Sequence, residues 1–155
     1  MPVDISIDPG LNHTGWCIWE DGKPRVGTLH VPAKMTEFTD KLEWLKSHIE
    51  AMFLDLYETE GINRVAIEEF VGKHRAHEKG QDMTAMLKCA TARGMIWSLA
   101  HSYAKSVFFQ SKGSITKAET AVRCRGMGIG KCSADARDAL EIGVAAGLDR
   151  RSNTP

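Results

Sequence analysis

The chain has 155 residues, 43% of them hydrophobic, and carries 20 basic and 20 acidic side chains. That length fits one domain with one core over 1–155, and the apolar fraction excludes a disordered chain. No run reaches the roughly 18 consecutive apolar residues of a membrane span. The start, Met1-Pro2-Val3-Asp4, lacks the basic and apolar regions of a signal peptide, so a cytoplasmic protein is expected.

Residues 3–8 alternate and end on Asp8-Pro9-Gly10, a strand entering a turn. Residues 14–20 read as a second strand, Asp21-Gly22-Lys23-Pro24 as a hairpin turn and 25–31 as a third strand, together an antiparallel meander. Over 36–59, Phe38, Leu42, Leu45, Ile49, Met52, Phe53 and Leu56 keep helical spacing, with Thr36 as the cap and Gly61 as the stop. A strand at 64–68 leads into a polar, basic loop at 71–80. A second long helix is expected over 81–103, on Met83, Met86, Leu87, Ala90, Met95, Ile96, Leu99 and Ala100. A strand at 105–109, a helix at 115–124 started by Ser114 or Thr116, and a glycine-rich loop at 126–130 follow. Ser133 caps a last helix at 134–147, closed by Gly147. The order βββαβαβαα predicts an α/β fold, a mixed five-stranded sheet with helices on both faces.

Four acids stand out. Asp8 and Glu68 each end a short apolar run, Ile5-Ser6-Ile7 and Val65-Ala66-Ile67, while Asp135 and Asp138 lie three apart and share a helical face. A carboxylate at the end of a buried strand is costly unless something pairs with it. Several brought together repel, and a divalent cation is the usual remedy. Each acid also has an ordinary reading: turn chemistry for Asp8, a solvated strand end for Glu68 or Glu69, helix-dipole acids for Asp135 and Asp138. Strand alternation sends Glu68 and Glu69 to opposite faces, so only one can join Asp8.

A net charge of zero argues at first against a nucleic-acid partner. The distribution reverses this: residues 73–131 hold 11 Lys or Arg against 3 acids, leaving 9 basic and 17 acidic residues elsewhere. A basic binding surface beside an acidic site gives that asymmetry, as would solvated helix faces. Cys17, Cys89, Cys124 and Cys132 form no CxxC pair. Reduced, mostly buried thiols are the plain reading, ahead of a zinc site built from Cys124 and Cys132.

In this order and spacing, the motifs Ile7-Asp8-Pro9-Gly10 with Thr14-Gly15, Ala66-Ile67-Glu68, Ala92-Arg93-Gly94 and Ala134-Asp135-Ala136-Arg137-Asp138-Ala139-Leu140 resemble the RuvC family of Holliday-junction resolvases, nearly end to end. The resemblance implies an RNase H-like fold and an endonuclease that resolves four-way DNA junctions. It places the metal-binding acids on Asp8, Glu68, Asp135 and Asp138, for two Mg²⁺ per site, with Mn²⁺ as a substitute. It places the catalytic lysine on Lys117, with Lys112 also in range. Phe70 is the nearest match to the aromatic that meets the junction centre, offset by one position. Lys73, Arg75, Lys79, Arg93 and Lys112 are then expected to contact DNA. A junction has two equivalent strands to cut, which suits a homodimer, with the methionine-rich helix at 81–103 as a candidate interface. The compact chain and its basic loop are in the style of a phage or mobile-element member. A general branched-DNA nuclease or an RNase H-type hybrid nuclease would use the same fold. A non-catalytic junction binder is disfavoured, since four intact acids would face phosphate. An actin-like or sugar-kinase ATPase would need a second domain.

Overall fold

The computed structural model describes residues 1–69, 83–112 and 116–150. The elements are β1 (Val3–Asp8), β2 (His13–Glu20), β3 (Lys23–His30), α1 (Phe38–Thr59), β4 (Ile62–Glu68), α2 (Met83–Tyr103), β5 (Ala104–Gln110), α3 (Lys117–Gly126) and α4 (Ala134–Ala145). They follow the expected order. The strands form one sheet, β3-β2-β1-β4-β5. β1–β2 and β2–β3 are antiparallel, while β1–β4 and β4–β5 are parallel. Asp21 and Gly22 both have positive φ, 50° and 75°, which matches the twist of a two-residue hairpin and fixes the β2–β3 register. Parallel strands need a crossover, and α2 supplies the one between β4 and β5.

Alternation along β1 and β4 sorts the core into two layers. Val3, Ile5, Ile7, Val65 and Ile67 face α1 and α2, packing on Leu45, Ile49, Phe53, Ile96 and Ala100. Cys17, Trp19 and Ala66 face the other way, onto Ala139, Leu140 and Ile142 of α4 and Cys124 of α3. Helices therefore cover both faces.

The helix boundaries show where local signals held. Gly61, at φ +80°, ends α1, and its N–H bonds the Leu56 carbonyl at 2.8 Å. Thr36 does not cap α1: Glu37 is the cap residue, extended, with no side-chain cap bond. Thr116 starts α3 through a reciprocal capping box with Glu119, and Ser133 accepts from the Ala136 N–H at 3.1 Å to start α4. Ser114 lies outside the described residues. The apolar stripe of α2 is core only in its second half. Met83 and Leu87 are 68% and 62% exposed, and the buried positions are Ala92, Arg93, Ile96 and Ala100.

α4 sits unusually close to the sheet because its contacts are small. A β-carbon at Gly15 would overlap the Asp135 carbonyl, and one at Gly143 would overlap the Trp19 indole. Buried Ser6 ties the layers together, donating to the Ala139 carbonyl at 2.6 Å and accepting from Trp19 Nε1 at 2.9 Å. This close seating sets the height at which α4 carries its acids past the strand ends.

Candidate active site

β1, β4 and β5 run parallel, so their C-terminal ends lie at one edge of the sheet. Ile7 pairs with Ile67, and Asp8 and Glu68 are the next residues of their strands. Glu68 pairs with Gln110 at the end of β5, and the chain turns there through Ser111 to Lys112. From the α4 side comes Asp138. The Lys112 Nζ lies 2.9 Å from Asp138 Oδ2 and 3.6 Å from Glu68 Oε1. Asp8 is hydrogen-bonded to Glu68.

The electrostatics follow from burial and crowding. Burial, the hydrogen bond to Glu68 and the Glu68 charge push Asp8 up to about 9; Lys112 opposes this and Asp138 adds to it. The Asp8–Glu68 pair thus holds a proton at neutral pH. Burial works to lower Lys112, but the Asp138 hydrogen bond and the charges of Glu68, Asp138 and Asp8 outweigh it and hold the ammonium above its ordinary value.

Neighbouring residues divide sharply. Glu69 is exposed, accepts from Ser111 Oγ at 2.9 Å, and points away from Glu68, as strand alternation requires. Asp135 stands in the first turn of α4, with its carbonyl against Gly15, the residue opposite Asp8. The charges that act on Asp8 are Glu68, Lys112 and Asp138. Arg93, expected among the DNA contacts, lies in the interior instead. It is 9% exposed, and its Nε donates to the Glu68 carbonyl at 2.9 Å, bracing the end of β4. Lys117 heads α3, and its side chain lies outside the description. Phe70, Lys73, Arg75 and Lys79 lie outside the described residues.

No protein-family model and no curated protein sequence matches the chain. Solved structures do. Thermus thermophilus RuvC aligns with a TM-score of 0.69 at 17% identity, over 94% of this chain and 93% of that one. RuvC of the same organism, in complex with Holliday junction substrate, aligns with a TM-score of 0.72 at 17% identity, over 99% and 98%. The chain has the RuvC fold. The yeast mitochondrial Holliday junction resolvase Ydc2 aligns more loosely, with a TM-score of 0.56 at 14% identity, over 97% of this chain and 78% of that one.

Within the RuvC fold, the strand-end cluster has the donor chemistry for a hard divalent cation. Three carboxylates gather around one ammonium, and carboxylate oxygens suit Mg²⁺ and Mn²⁺. Among the described residues, no group of three or more His, Cys, Asp or Glu side chains stands where it could hold a metal ion. Lys112 lies between two of the acids instead. The sequence places Lys112 among the DNA contacts and as the alternative to Lys117 for the catalytic lysine. Its position just past the strand that pairs with Glu68 was the signal for its place in the cluster. The bracing by Arg93 left no trace in spacing alone, whereas Ala134, Ala136, Ala139 and Ala145 already permit the close seating of α4 on the sheet.

Proposed function

We propose that this protein is a structure-selective endonuclease that resolves four-way DNA junctions. The observation that carries the reading is the gathering of Asp8, Glu68, Asp138 and Lys112 at one sheet edge, in a chain whose fold matches, end to end, a RuvC solved with a Holliday junction. Asp8, Glu68 and Asp138, with Asp135 at the border, would hold two Mg²⁺. Bound there, the ions supply an activated water and stabilise the leaving 3′ oxygen.

The chain's own residues do the rest. Glu68 and Asp8 stand side by side at the strand ends, where a bound cation would offset the crowding of their charges. Arg93 fixes the carbonyl of Glu68 and with it the strand end. Lys112 has three donors, one already on Asp138, which leaves it able to bond a phosphate oxygen and to stabilise the charge that builds there. We assign the catalytic lysine to Lys112 on this placement. The exposed Met83, Leu87 and Trp97 on α2 offer an apolar face for a second copy, and a two-fold dimer would present two sites to the two equivalent strands. Among the described residues no helix is long and apolar enough to cross a membrane.

The test is cleavage of a synthetic immobile four-way junction, compared with duplex, flap and RNA–DNA hybrid, in Mg²⁺ and in EDTA. Metal-dependent, symmetric cutting confined to the junction is expected. Equal cutting of flaps would favour a general branched-DNA nuclease, and preference for the hybrid an RNase H-type enzyme.

A further inference from the structure

His13 and His30 form a second pair of potential ligands, on the sheet face of Asp8 and two residues beyond Gly15, its cross-strand partner. They are the last cross-strand pair of the β2–β3 ladder. Their Nδ1 atoms are 2.8 Å apart, with ring centroids at 5.0 Å and planes at 72°, so the rings meet at their nitrogens instead of stacking. Both side chains are exposed, but the backbone beneath them is fixed. Thr14 pairs with Leu29 on one side, and the Val31 N–H bonds the Asn12 carbonyl at 3.0 Å on the other.

A neutral imidazole has one donor and one acceptor nitrogen, so this contact holds a single shared proton. Moving that proton to Nε2 would leave a lone pair on both Nδ1 atoms, and imidazole is the commonest protein ligand for a borderline transition metal. With metal–nitrogen bonds of about 2.0–2.1 Å and tetrahedral angles, the two nitrogens would stand about 3.3 Å apart. The observed pair needs to open by only about half an ångström, a small side-chain rotation on a fixed ladder. We propose that His13 and His30 chelate a divalent cation of the Zn²⁺ class through their imidazole nitrogens.

The surroundings fit. By strand alternation His13 lies on the same face as Gly15 and Cys17, the side covered by α4. His30 lines an open groove of about 440 Å³ with Thr28, Lys131, Cys132 and Ser133. That space leaves room for water to complete the coordination. The chemistry also separates the two sites: imidazole prefers Zn²⁺, Ni²⁺ or Cu²⁺, whereas the oxygen-only acids prefer Mg²⁺.

The experiment is calorimetric titration of the full chain with ZnCl₂ in saturating Mg²⁺, alongside Cu²⁺ electron paramagnetic resonance. One Zn²⁺ per chain and a two-nitrogen hyperfine pattern are expected. His13→Asn and His30→Asn should each weaken binding by at least about tenfold. Cys132→Ser and Asp8→Asn should leave it unchanged. Thermal melts of the two histidine variants confirm that they fold, and restoring binding with His13→Cys would show that the position supplies a ligand. Wild-type affinity in the folded histidine variants, loss of binding in Cys132→Ser or Asp8→Asn, or no binding by the wild type would each overturn the site.

Discussion

β1 carries two aspartates on the same face, four residues apart, and the two ends of the strand treat them differently. At the N-terminal end, Asp4 is compensated by its neighbours. Arg64 of β4 grips it with both nitrogens, Nε to Oδ1 at 3.1 Å and Nη2 to Oδ2 at 2.7 Å. The Arg64 N–H and the Asn63 amide add two more bonds to Oδ1, each 3.1 Å. At the C-terminal end, Asp8 faces Glu68 from the same partner strand and is driven up to about 9 by burial and by that neighbour. The same residue type on the same strand pair makes a closed structural bond at one end and an under-compensated cluster at the other. The second is where parallel strands end together, the edge at which α/β folds bind ligands. A carboxylate left short of positive charge is open to a cation, and one that is satisfied in the chain is not.

The largest expected effect tests the open end. Asp8→Asn should lower Mg²⁺-dependent junction cleavage by at least about 10³-fold, on the order of 4 kcal/mol of transition-state stabilisation. Junction binding in a gel shift should be equal or tighter, because one negative charge near phosphate is gone. Substantial cleavage by this variant would remove Asp8 from the site.

Next comes the cation already in the cluster. Lys112→Met should slow cleavage by about 10²–10³-fold, the scale of losing one donor to developing charge. Lys117→Met, measured beside it, distinguishes the two lysines. If Lys117→Met is the slower variant, the catalytic lysine lies on α3 and Lys112 is only a counter-ion to Asp138 and Glu68.

The closed end should behave oppositely. Arg64→Ala leaves Asp4 half-buried with its main partner missing and should cost about 1–2 kcal/mol in chemical denaturation, with cleavage by the folded protein unchanged. A loss of cleavage without a loss of stability would mean that this pair transmits to the site.

The open end also carries a pH dependence. In EDTA, the fold favours protonated Asp8, since its pKa rises from 3.8 to about 9. Its contribution to stability is then complete below about pH 4 and is lost as pH climbs toward about 9. The melting temperature should fall over that window, and Asp8→Asn should flatten the fall. An identical slope in the variant would show that Asp8 does not hold the proton. The smallest effect belongs to the neighbouring glutamate: Glu69→Gln should change stability by less than about 0.5 kcal/mol and cleavage by less than about twofold. Glu68→Gln should be inactive. The reverse result would mean that the strand is out of register by one residue.

Element order, strand polarity and the split of Glu68 from Glu69 were legible in the sequence, because each depends on local periodicity. Alternation over Ile5-Ser6-Ile7 and Val65-Ala66-Ile67, the Asp21-Gly22 turn, Gly61, Thr116 and Ser133 act within a few residues, and the structure uses them as read. Thr36 failed as a cap because capping depends on how the preceding chain arrives, and here Glu37 takes the position with no side-chain bond. The exposed first half of α2 was also beyond periodicity, which reports an apolar stripe but not what covers it. Only tertiary structure decided which charges meet. Lys112 reaches Asp138 across 26 positions of sequence because β5 runs parallel to β4 and α4 is seated on Gly15. Arg93 turned inward because the end of β4 offered the Glu68 carbonyl within a buried helix contact. Local propensity acts over a few neighbouring residues, whereas pairing of charges depends on the register between strands and the height of a helix above them. The sequence marked the acids, and packing determined which of them crowd together, which take the lysine, and which stay in solvent.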